Sequence, residues 1–135
     1  MTLRRSLSLL PTRFAICRYD AAAAFPAWAM HAEARFWSVT RTEDELSVVC
    51  DEDSVPPSCP RVERGWRALR LAGPIDLGET GVLASLAQPL ANDGIALFAI
   101  STFDTDYVLV RESDLERAIA ALEASFTIES ARETR

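Results

Sequence analysis

Lysine is absent from the sequence: all 14 basic residues are arginine, and 20 Asp and Glu outnumber them, leaving a net charge of −6. A phosphate backbone would be repelled by such a chain, so a nucleic-acid role is excluded from the expectations. Histidine occurs once, as His31, and the odd set Cys17, Cys50 and Cys59 has no CxxC spacing. Neither a disulfide framework nor a zinc knuckle is indicated, and a reducing cytoplasm fits best. No apolar run reaches the length of a membrane span. The opening MTLRRSLSLLP is too short and too interrupted in its apolar part for a signal peptide, so a soluble, intracellular chain is expected, without a membrane partner.

The sequence does contain enough apolar material for a core, at 49% of its 135 residues. Its charge is uneven: residues 1–62 hold 7 Arg against 8 acids, whereas residues 63–135 hold 7 Arg against 12. An acidic second half suits either a cationic or zwitterionic ligand or simply a solvated surface.

Taken in order, Leu7 to Leu10 and Arg13 to Tyr19 read as strands separated at Pro11, which cannot donate to a ladder. Ala21 to Ala34 places Phe25, Trp28, Ala29 and Ala32 at helical spacing and predicts a first helix. Phe36 to Thr40 and Glu45 to Asp51 predict a hairpin. The segment DEDSVPPSCPR, Asp51 to Arg61, has three prolines and three acids and marks a boundary between an N-terminal domain, 1–61, and a C-terminal one, 62–135. Trp66 to Leu71 follows as a strand that Gly73-Pro74 ends. A helix is predicted from about Thr80 on Val82, Leu83, Leu86 and Leu90, stopping at Asn92-Asp93-Gly94, with Pro89 disturbing its last turn. Ile95 to Ser101 and Asp106 to Val110 form a second hairpin. Ser113 to Glu116 has capping-box spacing ahead of a helix on Leu115, Ala118, Ile119 and Leu122. Phe126 to Ile128 reads as a short last strand, with a frayed tail from Glu129 to Arg135. The three tryptophans, Trp28, Trp37 and Trp66, fall on expected core faces.

A shift of 61 positions lays one hairpin on the other, so an internal repeat is plausible. The order β-α-β-β-α-β in the second half is the ferredoxin-like arrangement. The candidate site lies in Gly73 to Val110. There Gly78 and Gly81 let a ligand approach the backbone, and the first N–H groups of the following helix favour an anion such as a carboxylate. Glu79 or Asp106 can then hold an ammonium or guanidinium group; the competing reading is a tight turn with no ligand. Asp104-Thr105-Asp106 has the form of a DxD metal motif but sits in a hairpin connection. His31 with Ser38, Ser85 or Ser101 lacks any nucleophile-elbow sequence, so no catalytic residue, metal or cofactor is assigned.

The run GPIDLGETGVLASLAQPLANDGIALFAISTFDTDYVLV, with TRTEDELSVVCDE in the first half, resembles the ACT-domain proteins, specifically the small tandem ACT-like proteins of bacteria. The same pattern occurs in the animal arginine sensors. The resemblance implies an α+β fold of two tandem ferredoxin-like (βαββαβ) ACT modules with antiparallel sheets, and no catalysis by the module. It implies a regulatory or sensor protein that binds an amino acid or similar zwitterion at a module interface, as a homodimer that acts on a protein partner. Its ligand zone falls on Asp76, Gly78, Glu79, Thr80, Gly81 and Val82, and on Ser101, Thr102, Phe103 and Asp106, with Asp106 facing a cationic side chain. The first module's link, Tyr19 to Ala22, has no glycine turn, and binding there is not expected. The alternative is a purely structural dimerisation module without ligand.

Overall fold

The computed structural model describes residues 4–130. Its fold is α+β, with seven strands and two α-helices among the described residues. The strands are β1 (Arg5–Tyr19), β2 (Ser38–Arg41), β3 (Leu46–Asp51), β4 (Arg61–Leu71), β5 (Leu97–Ser101), β6 (Asp106–Arg111) and β7 (Phe126–Ser130). The helices are α1 (Val82–Asn92) and α2 (Leu115–Leu122). The chain divides into two compact units, Thr12–Trp66 and Met1–Pro11 with Arg67–Arg135, and β1 and β4 each give residues to both.

The larger unit has strands in the order β7-β1-β4-β6-β5. Arg5 to Leu9 of β1 runs parallel to β7, while β5 and β6 are antiparallel. Apolar residues of one sheet face, Leu7, Leu69, Leu71, Val108, Val110 and Phe126, pack with Leu86 and Leu90 of α1 and Ala118 and Leu122 of α2. The two helices cover that face because their buried positions recur at helical spacing. Gly94, at φ +69°, closes α1, donating to the Ala91 carbonyl at 3.0 Å. The expected capping box at Ser113 does not form. Instead a 3-10 turn at Glu112–Asp114 leads into α2, and the Asp114 carboxylate accepts from Arg117 at 3.1 Å.

The smaller unit has strands in the order β2-β3-β1-β4 and contains no α-helix. The helix predicted over Ala21 to Ala34 is absent; a 3-10 turn at Ala27–Ala29 is all that forms. The expected first βαββαβ module is therefore not built. Alanine favours a helix only if the backbone groups are free for it, and here they are occupied. Asp20 accepts from the N–H of Ala22 and of Ala23, Arg41 donates to the carbonyls of Ala21 and Ala23, and Pro26 has no N–H.

Several smaller expectations change as well. β1 runs unbroken through Pro11, which is exposed and falls between the residues paired with β7 and those paired with β3. β4 begins at Arg61 rather than Trp66, and Trp37 is exposed whereas Trp66 is buried. The last strand extends to Ser130; the tail expected to fray lies outside the described residues beyond that point. The hairpins correspond at a shift of 60 positions, not 61, because Arg41 pairs with Leu46 as Ser101 pairs with Asp106. One residue of register exchanges the two faces of a strand. At the corrected shift, core Val48 and Cys50 match core Val108 and Val110.

The three cysteines, far apart in sequence, meet in the core of the smaller unit. A hydrogen bond between the Cys17 and Cys50 thiols pushes Cys17 up and Cys50 down, and burial pushes the Cys59 thiol up. Cys17 and Cys50 are fully buried and Cys59 partly so. In the native protein an aromatic disulfide reagent should therefore titrate Cys59 alone, slowly at neutral pH and faster as pH rises past the ordinary thiol range, whereas denaturant should expose all three. A second expectation concerns the larger core: Leu86→Ala should cost about 2–5 kcal/mol in a denaturant titration, and Leu77→Ala, at an exposed position, about 0.5 kcal/mol or less.

Candidate functional site

Two connections of the larger unit are tied side by side. The segment from β4 to α1 starts with a cis peptide bond between Gly73 and Pro74. Its Ile75 N–H donates to the Asp104 carbonyl at 2.7 Å, and the buried Thr105 hydroxyl donates to the Leu71 carbonyl at 2.6 Å. A Cβ on Gly73 would come within 2.8 Å of the Asp104 carbonyl oxygen, so glycine is required by this close approach. The β5–β6 turn is held by its own threonines: Thr102 N–H donates to the Thr105 carbonyl at 2.8 Å and Thr105 N–H to the Thr102 hydroxyl at 3.2 Å.

Between these connections lies a cavity of about 190 Å³ lined by Ile75, Asp76, Leu77, Glu79, Val82, Ser101, Thr102, Phe103, Thr105 and Asp106. Its charges are all acidic. The Asp76 carboxylate accepts from Gly78 N–H at 2.9 Å, and Asp106 accepts from the Ser101 hydroxyl at 2.5 Å, leaving each a second oxygen. Glu79 is paired with Arg5 at 2.5 Å. Beside them α1 begins at Gly81, whose φ of +81° turns the chain into the helix. The first bond back along the helix is Ser85 N–H to Gly81 carbonyl, so the N–H groups of Val82, Leu83 and Ala84 precede the ladder. Leu77 and Phe103 project at the rim, 70% and 79% exposed, which leaves the cavity open.

Of the ten residues singled out in the sequence, Asp76, Glu79, Val82, Ser101, Thr102, Phe103 and Asp106 line this cavity. Gly78, Thr80 and Gly81 belong to the connection but not to the lining. Sequence reasoning missed Ile75, Leu77 and Thr105 as lining, and Arg5 as the partner of Glu79. Thr105 lay within the DxD pattern, where its middle position hid a buried anchor. Among the described residues no group of three His, Cys, Asp or Glu is arranged to hold a metal ion. His31 pairs with Asp51, at 2.9 Å, and not with a serine.

A family model described as "ACT domain" matches residues 61–124, and a second, described as an N-terminal domain, matches residues 12–58. The X-ray structure of a protein from Agrobacterium tumefaciens is 38% identical, covers 99% of this chain and 98% of its own, and superposes with a TM-score of 0.87. Residues 61–124 of the chain thus form an ACT domain. The human protein named cytosolic arginine sensor for mTORC1 subunit 1 is 32% identical over 104 residues, 70% of this chain and 32% of its own length. The chain thus spans about a third of the length of the arginine-sensor relatives it matches. Aspartate kinase from Clostridium acetobutylicum shares the fold, with a TM-score of 0.67 at 11% identity, over 90% of this chain and 34% of that one. No helix among the described residues is long and apolar enough to cross a membrane.

The tie through Thr105 sets the cavity walls. Thr105→Val would leave the buried Leu71 carbonyl unpaired and should cost about 1–3 kcal/mol of stability. Gly73→Ala should be destabilising too, because its neighbour is backbone and cannot rotate away. Thermal melts of both variants check this.

Proposed function

We propose that the chain is a regulatory, non-enzymatic ACT protein that binds a free amino acid in the cavity between the β4–α1 connection and the β5–β6 turn. The observation that carries this reading is a small cavity that combines a helix N-terminus with the acidic side chains Asp76, Glu79 and Asp106 in its lining. A zwitterion needs both signs of partner. The start of α1 favours negative charge on its side of the cavity, and the acidic lining suits the ligand's ammonium or a cationic side chain. At about 190 Å³ the space is smaller than the roughly 300–1,000 Å³ of pockets for drug-sized ligands, which favours a single amino acid over a nucleotide. The arginine sensor among the relatives supports the same ligand class.

The same reading takes the chain as two ACT-like modules in order, 1–61 and 62–135, the first with its helices replaced by turns. Two family models that match residues 12–58 and 61–124 in turn support this. The protein acts in the cytoplasm, as a homodimer, and passes ligand occupancy to a protein partner.

Thermal melts against the twenty amino acids at millimolar concentration test the reading. One of them at a hundred times its Kd should stabilise the fold by about 2.7 kcal/mol, and Asp106→Asn should remove the shift. Indifference of a stable oligomer to every amino acid would replace this reading with a structural dimerisation module.

A further inference from the structure

The cavity has three acidic side chains in its lining and no basic one, yet one of the three is paired with a cation. Arg5 opens β1, where its backbone is fixed in parallel register with Phe126 of β7. Its guanidinium holds Glu79 at 2.5 Å, with the two side chains 38% and 39% exposed. Neighbouring arginines of the same unit are engaged elsewhere: Arg4 on the carbonyls of Glu123 and Phe126, Arg67 on the Leu10 carbonyl and Glu112, Arg117 on Asp114 and the Asp93 carbonyl. Arg5 is joined to the cavity by its ion pair with the lining residue Glu79.

We infer that Arg5 receives the carboxylate of the ligand, and that the Arg5–Glu79 ion pair is a latch the ligand opens by displacing Glu79. This rests on the amino-acid reading of the site and adds to it the residue that selects an acid over a bare amine. An exposed ion pair contributes little to stability, so exchanging one carboxylate for another on Arg5 costs little. The planar guanidinium offers a forked donor set that a second carboxylate can take with the same geometry. The mobile member of the pair is Glu79, because Arg5 is anchored in a strand whereas Glu79 sits in a connection held by the Asp76 turn. Once released, Glu79 lies three residues before α1, where the helix N-terminus favours its charge, and it can face the ligand ammonium. Occupancy of the cavity thereby becomes a change in the link between β1 and the β4–α1 connection. An amine without a carboxylate meets the acidic lining and leaves the latch shut.

Calorimetric titrations of the full chain with L-arginine, L-lysine and glycine, and with the decarboxylated agmatine, cadaverine and methylamine, test this. The wild-type protein should bind at least one amino acid at least about tenfold more tightly than its decarboxylated counterpart. Arg5→Gln should lose that preference while keeping the affinity for the amine, and Asp106→Asn should weaken both. Equal binding of acid and amine by the wild-type protein would overturn the role of Arg5 without recourse to any variant. So would Arg5→Gln that binds the amino acid as tightly as wild type while Asp106→Asn does not, and in either case the site itself would stand. Absence of binding by all six probes to the wild-type protein, together with indifference in the melts to the other amino acids, would overturn the site and the latch together.

Discussion

The candidate site depends on two hydrogen bonds that fasten one connection to another, Thr105 hydroxyl to Leu71 carbonyl and Ile75 N–H to Asp104 carbonyl. Without them the segment from Ala72 to Gly81 would be an exposed loop of ten residues, with little apolar area to hold it and a substantial backbone entropy cost to order it. Both donors are matched to backbone acceptors, so the tie fixes position as well as proximity. It also explains why position 73 carries glycine: the carbonyl that receives Ile75 lies where a Cβ would be. The cavity is the space left between two segments that cannot move apart independently.

Electrostatics then gives that space a direction. The lining is acidic, α1 presents its N-terminus on one side, and Arg5 supplies a compensating charge through its ion pair with Glu79. The net acidity of the second half, visible in the composition, is therefore not spread evenly over a solvated surface, because three of its carboxylates converge on one opening. Arg5 tempers their mutual repulsion at Glu79, and the Ser101 hydroxyl does so at Asp106.

Much of the larger unit was legible because its signals are local. Val82, Leu86 and Leu90 recur at helical spacing, Gly94 supplies a left-handed stop, and the two hairpins alternate in the way strands do. What escaped the sequence depended on partners far along the chain. Arg5 and Glu79 are 74 positions apart, and Thr105 reaches Leu71 across 34. The alanine-rich segment misled for a related reason: Arg41, outside the predicted helix, takes the carbonyls that a helix would need. The shift of 61 found by pattern was one residue from the register found by pairing, since alternation of apolar residues scores nearly as well in the wrong phase when both faces of a strand are partly apolar.

The corrected register exposes a comparison between the units that explains why only one offers a site. The connections after β1 and β4 contain the same turn: Asp20 accepts from the N–H groups two and three residues on, as Asp76 does. Both hairpins close on the same threonine device, with Thr42 bonded to Glu45 as Thr102 is to Thr105. The local scaffolding is therefore common, and the difference lies in two residue types. After its Asp turn the larger unit has Gly81, which at positive φ turns the chain into a helix whose Val82 lines the cavity, whereas the smaller unit has Pro26 and a single 3-10 turn. At the hairpin the larger unit has Thr105, small enough to be buried and able to donate across to Leu71; the smaller has Glu45, whose charge opposes full burial. A pocket of this kind needs both a helix end and a seated hairpin, and the smaller unit's sequence supplies neither.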